Sequence, residues 1–146
     1  MAGIPVPTSP VVDKDSGLAT QDWFRYLAGQ TKQWVPVDSS GASLVFTGVS
    51  AQWTQLGKLV FAYAQLTYPA TGNGAAAVIG GLPVLVPNAN YAKQGFITYT
   101  TSTTAKLILP IVSTITASLL GAAGVGCTNA NMSGTTLNFM LIYPVA

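Results

Sequence analysis

The sequence predicts an all-β fold, an antiparallel β-sandwich of jelly-roll type, preceded by an extended N-terminal arm and one short α-helix. Three observations predict the β body. Beyond Gly41 the chain is rich in Val, Ile, Thr, Tyr and Phe, residues that suit a pleated, half-buried surface. Gly, Pro and Asn interrupt it at intervals of roughly ten residues, the rhythm of short strands in a sandwich or barrel. No segment recurs at a fixed period, which argues against a solenoid or a propeller.

The arm comes first. Residues 1–12 hold Pro5, Pro7 and Pro10 among small apolar residues, favouring a stiff, extended, polyproline-like segment that can lie along a neighbour. No apolar run follows a basic start, so these residues do not read as a secretory signal. Asp13-Lys14-Asp15-Ser16-Gly17 has turn chemistry. Thr20 stands where a helix N-cap belongs, and Asp22 in the first turn suits the helix dipole. From Gln21 to about Gln33 the pattern is helical, with Trp23, Leu27 and Trp34 near heptad spacing and Phe24 and Ala28 beside them. A helix this short needs a surface to pack on. That surface is the chain's own β body, symmetry copies or a host particle.

Pro36 to Gly41 reads as a hinge, which divides the chain into an arm and helix (1–35), a hinge (36–41) and a β domain (42–146). Strands are predicted at 43–47, 50–56, 58–68, 75–80, 94–101, 104–109, 111–118, 125–129 and 135–143, separated by turns rich in Gly, Pro and Asn. In the long third strand Leu59, Phe61 and Tyr63 oppose Val60, Ala62, Ala64 and Leu66. Both faces are apolar or small, which predicts a central strand covered on both sides. Leu137, Phe139 and Leu141 oppose Asn138, Met140 and Ile142 in the same way.

Charge narrows the function. From Ser39 to Ala146, 108 residues carry only Lys58, Lys93 and Lys106 and no carboxylate. An ordinary soluble domain is about a quarter charged, so much of this surface is expected to face copies of itself or a larger assembly. Edge strands are normally guarded by Lys, Glu or Pro. Guards are few here, and pairing of edges between identical subunits is the expected remedy. The large apolar residues Trp34, Trp53, Leu59, Phe61 and Phe139 are the candidates for the oligomer interface.

The same deficit argues against catalysis, which draws mainly on His, Asp, Glu and Cys. The chain has no His, one Cys and four acids, Asp13, Asp15, Asp22 and Asp38. Local turn and cap roles account for the first three. Gly121-Ala-Ala-Gly-Val-Gly126 lacks the Lys-Ser/Thr of a phosphate loop. Cys127 reads as a small buried hydrophobe. No enzyme, cofactor or metal site is expected. A net charge of +2 with scattered lysines does not suit nucleic acid. The apolar stretch 107–126 is too interrupted for a membrane helix.

Two stretches carry a resemblance. Pro10-Val-Val-Asp-Lys-Asp-Ser-Gly-Leu-Ala-Thr-Gln-Asp-Trp-Phe-Arg-Tyr-Leu27 is similar to the opening of tailed-bacteriophage fibre and appendage proteins. Trp53-Thr-Gln-Leu-Gly-Lys-Leu-Val-Phe-Ala-Tyr-Ala-Gln-Leu66, followed by Val78-Ile-Gly-Gly-Leu-Pro83, resembles a β module of phage tail and head fibres. Together they cover about a third of the chain. The resemblance implies a homotrimeric virion protein without catalytic residues, fastened to a portal or adaptor, tail or capsid protein by its arm and helix. The anchoring residues it implies are Pro5, Pro7, Pro10, Val11, Val12, Trp23, Phe24 and Leu27. The short length and the lack of a shaft repeat favour a short head fibre, tail appendage or adaptor. A capsid decoration or cement protein is an alternative. A lectin-like module binding host-surface glycan is another, motivated by Asn88, Asn90, Tyr91, Asn129 and Asn131 in loops whose ordinary account is turn chemistry.

Overall fold

Strand alternation decides the architecture. The computed structural model describes residues 31–88 and 93–145, together with Thr8 and Pro10. Most of the expected helix and most of the arm lie outside the described residues, but Lys32 and Gln33, expected to close that helix, form a short strand instead because they are drawn into a sheet. The chain divides into two units, Met1–Lys32 and Gln33–Ala146. The β body contains β1 (Lys32–Gln33, at the boundary), β2 (Val37–Asp38), β3 (Thr47–Leu56), β4 (Leu59–Thr67), β5 (Val78–Gly80), β6 (Gln94–Thr100), β7 (Leu107–Pro110), β8 (Ala117–Leu120) and β9 (Thr136–Pro144). Two short 3-10 turns, Ala122–Gly124 and Ala130–Met132, lie between β8 and β9.

The fold is all-β, with two antiparallel sheets. The first has five strands in the order β1-β3-β4-β9-β6, and the second four in the order β2-β5-β8-β7. A two-residue turn joins β3 to β4. Gly57 takes φ 58° there, a conformation that a hairpin with glycine in its first central position requires. β4 pairs along its length with β3 on one side and with β9 on the other, from Leu59 opposite Pro144 to Thr67 opposite Thr136. It is central, as the sequence predicts.

The inward faces of both sheets meet in one hydrophobic core. Val60, Ala62, Ala64 and Leu66 of β4 and Leu137, Phe139, Leu141 and Tyr143 of β9 are buried, and so are Ile79, Ile108, Ala117 and Leu119 of the second sheet. The expectation that β4 is covered on both sides does not hold within the described chain, because Leu59 and Tyr63 remain exposed. Alternation between two apolar sets fixes which residues share a face, and the burial shows that only one face is filled.

Three segments depart from the strand predictions. Over 43–47 the chain bends instead of extending, because Gly41 and Ser43 adopt φ of 81° and 54°, and only Thr47 enters a strand. Over 111–118 Ser113 has φ 59°, and the Thr114 hydroxyl donates to the Ile111 carbonyl at 2.8 Å. That turn delays β8 until Ala117. Residues 125–129 contribute isolated bridges, Gly126 to Leu120 and Thr128 to Ala76. The Pro36–Gly41 segment, expected as a hinge, contains β2, which pairs Val37 with Gly80 and Asp38 with Ile79.

Two close backbone approaches shape the body. A Cβ on Gly80 would lie 1.9 Å from the Ser39 hydroxyl, and one on Gly81 2.4 Å from the Val35 carbonyl oxygen, so the double glycine seats the strand entering from Trp34. At the far side a Cβ on Gly95 of β6 would lie 1.9 Å from the Ile108 carbonyl oxygen of β7. The outer strands of the two sheets therefore abut one another there. An edge expected to pair with a second subunit is partly covered from within the same chain.

Candidate interaction face

Four strands of the first sheet, β3, β4, β9 and β6, present an outer face without a single Asp, Glu, Lys or Arg. Register places its residues in rows across the strands. One row runs Gln52, Tyr63, Met140, Phe96 and the next Thr54, Phe61, Ile142, Gln94. Leu56, Leu59 and Pro144 form a third row, and Ser50, Gln65, Asn138 and Tyr99 a fourth. A register shift between Ile97 and Tyr99 returns Tyr99 to this face, as an extra residue in a bulge does.

The large apolar members are open. Leu56 is 54 % exposed, Tyr63 45 %, Phe96 46 % and Tyr99 55 %. Phe61, Met140 and Ile142 are half-buried between them. The polar members are amides and hydroxyls. The Tyr63 hydroxyl donates to the Gln52 Oε1, and the Thr98 hydroxyl to the Asn138 carbonyl at 3.2 Å. Asn138 Oδ1, shielded from solvent, has no hydrogen-bond partner among the described residues. Buried acceptors are rarely left so. Such a face can bury apolar area and exchange amide hydrogen bonds.

Of the five residues expected at an oligomer interface, the structure brings only Leu59 and Phe61 to this face. Trp34 and Phe139 are core residues, 7 % and 2 % exposed, stacked edge-to-face with ring centroids 6.4 Å apart. The Trp34 indole N–H is placed between the Gln52 and Tyr63 carbonyls, 3.2 Å from each, which satisfies its donor inside the protein. Trp53 points the other way from Phe61, opposite Ala62, and is partly buried against the core. Sequence reasoning missed Phe96 and Tyr99 here; alternation with Gly95 and Ile97 was the available signal for Phe96, whereas it would turn Tyr99 inward and only the register shift brings it out. Among the expected anchoring residues Pro10 is exposed. The other seven lie outside the described residues.

Of the residues considered for glycan binding, Asn129 is internal structure and Asn131 is exposed but engaged in a local turn. Asn129 is wholly buried, and its amide nitrogen donates to the Ser40 hydroxyl at 2.8 Å and the Asn73 Oδ1 at 3.0 Å. Asn131 Oδ1 accepts from the Thr128 backbone N–H and hydroxyl, both at 2.9 Å. Asn88 is exposed, and Asn90 and Tyr91 lie outside the described residues. Near this network burial pushes the Asp38 carboxyl up, but hydrogen bonds from the Ser40 hydroxyl and from the Leu44, Ser40 and Ala42 amides outweigh it and hold the group below its ordinary value. Asp38 accepts at 2.9 Å from Ser40 N–H and 3.0 Å from Leu44 N–H. It caps a turn. Cys127 is buried, and burial pushes its thiol up, the state of an unreactive cysteine. Among the described residues no cluster of three or more His, Cys, Asp or Glu could hold a metal ion, and no helix is long and apolar enough to cross a membrane.

No family model matches the sequence, and neither a curated protein nor a solved structure matches the chain.

Proposed function

We propose that this chain is a non-enzymatic structural component of a bacteriophage particle, a homotrimeric fibre or appendage. Residues 1–35 attach it to the virion, and a sandwich-like β body projects from it. One observation carries the reading: the β body leaves an apolar, uncharged sheet face open, a composition that suits burial in an assembly. The resemblance of residues 10–27 and 53–83 to phage fibre proteins supports the choice of assembly. Three copies multiply the docking strength of each arm through effective concentration.

Deleting residues 1–19 tests the anchor. The truncated protein is expected to remain folded and oligomeric and to be missing from purified particles. Incorporation at wild-type occupancy would overturn the assignment. Native mass measurement tests the assembly separately: the expected species is a threefold multiple of the 15.1 kDa subunit, and a stable monomer at micromolar concentration refutes the oligomer.

A further inference from the structure

Building on the oligomeric reading above, we propose that copies of this chain meet through the outer face shared by β3, β4, β9 and β6, with Tyr63, Phe96, Leu59 and Tyr99 at the contact, rather than by pairing strand edges. The edge route is the less open one, since β6 and β7 already press together at Gly95 and Ile108. The face has no such cover within the described chain.

Its chemistry selects a second copy as the occupant. A surface evolved for a different partner usually reads it by complementary charge, and this face carries no charge to read. Identical faces brought together around a symmetry axis place each group near its own copies, so any ionic side chain there would meet its like. A face made of aromatic, aliphatic, amide and hydroxyl groups has no such repulsion. The amides add self-complementarity. Gln65 and Gln94, exposed on this face, each carry both an amide donor and an amide acceptor, so each can pair with its own copies.

The area is of the right order. Leu56, Leu59, Tyr63, Phe96 and Tyr99 are 39–55 % exposed, which at about 200 Å² per large side chain amounts to roughly 500 Å². The half-buried Phe61, Met140 and Ile142 and the amides between them extend it toward the ~800 Å² per partner of a stable protein interface. A contiguous patch of this size is comparable to the largest apolar patch of an ordinary monomer, about 300–600 Å², which often marks an interaction site.

The test is Phe96→Arg, compared with Val125→Arg, a residue that is 68 % exposed and belongs to neither sheet. Native mass and sedimentation of each are measured beside wild type. Phe96→Arg is expected to weaken association by at least ~100-fold, as loss of an aromatic contact together with introduced like charge does, while Val125→Arg stays oligomeric. A Phe96→Arg protein that remains as oligomeric as wild type overturns the face assignment and leaves the oligomer standing. A monomeric wild type overturns both. Should Phe96→Arg fail to fold, thiol labelling of Gln65→Cys decides. Protection in the oligomer by about tenfold or more relative to the diluted, dissociated protein supports the contact. Equal labelling rates refute it, including the case in which another macromolecule is the true occupant.

Discussion

Replacing Gly95 by alanine should separate the two sheets where they approach most closely. The added Cβ would sit 1.9 Å from the Ile108 carbonyl oxygen, 2.8 Å from its carbonyl carbon and 2.9 Å from its Cγ2. A methyl carbon needs at least about 3 Å from such atoms and prefers 3.5 Å or more, so β6 and β7 must part by roughly 1–1.5 Å. Neither strand is free to yield. Gly95 is paired with Leu141 of β9 and Ile108 with Leu119 of β8, and Ile108, Leu119 and Leu141 are all buried. Forced overpacking of this kind costs about 3 kcal/mol, which for a body of this size lowers Tm by about 10 °C. Thermal and urea unfolding followed by circular dichroism, at one fixed protein concentration because association shifts apparent stability, measures it. Gly72→Ala and Gly74→Ala serve as controls, since a Cβ at either meets nothing within 4 Å. If Gly95→Ala unfolds within ~0.5 kcal/mol of wild type, the span of an ordinary surface change, the close approach of the sheets is wrong.

Two further outcomes are expected. Phe139→Ala removes a side chain that is 2 % exposed and stacked on Trp34, and should cost about 3–5 kcal/mol in chemical denaturation; a loss confined to association, with the dissociated chain as stable as before, would return Phe139 to an interface. Burial pushes the Tyr143 phenol up to about 12 and pushes that of Tyr68 up as well, whereas an unfolded tyrosine ionises near pH 10. Both raised groups therefore contribute stability that is complete below about pH 10 and is lost as pH climbs through 12. Tyrosinate absorbance and circular dichroism recorded together should show these two ionising only as the fold is lost, and their ionisation near pH 10 in an intact fold would contradict the burial.

The long strands were legible because their signals are local. Residues 58–68, 94–101 and 135–143 are dense in β-branched and aromatic residues, and these, with 50–56, each correspond to a strand. β1 and β2 have two residues each, too few to show any period, and they exist because tertiary contacts hold them. The double glycine Gly80-Gly81 stood in plain view, but the Ser39 and Val35 it accommodates lie about forty positions earlier, beyond any pattern of local residues. The candidate face was half legible. The absence of charge is a property of the sequence, whereas the choice between Leu59-Phe61-Tyr63 and Val60-Ala62-Ala64 as the inner set is not, since both are apolar. Packing volume decided it: the smaller set fits against the second sheet, and the larger rings are left outside. Trp34 and Phe139 were misread for the related reason that a large apolar residue in a chain of low charge satisfies core and interface equally well.

The position of β9 between β4 and β6 has a temporal consequence. Its partners in β4 precede it by about seventy to eighty-five positions, so loop closure across about half of the chain must come before the sheet's middle ladder can form, and such non-local pairing is slow. During translation the ribosome will have released β3, β4 and β6 as sticky, incomplete ribbons well before their missing neighbour is synthesised. In that interval the nascent chain exposes apolar faces and unpaired strand edges, the kind of species that aggregates or is held by chaperones.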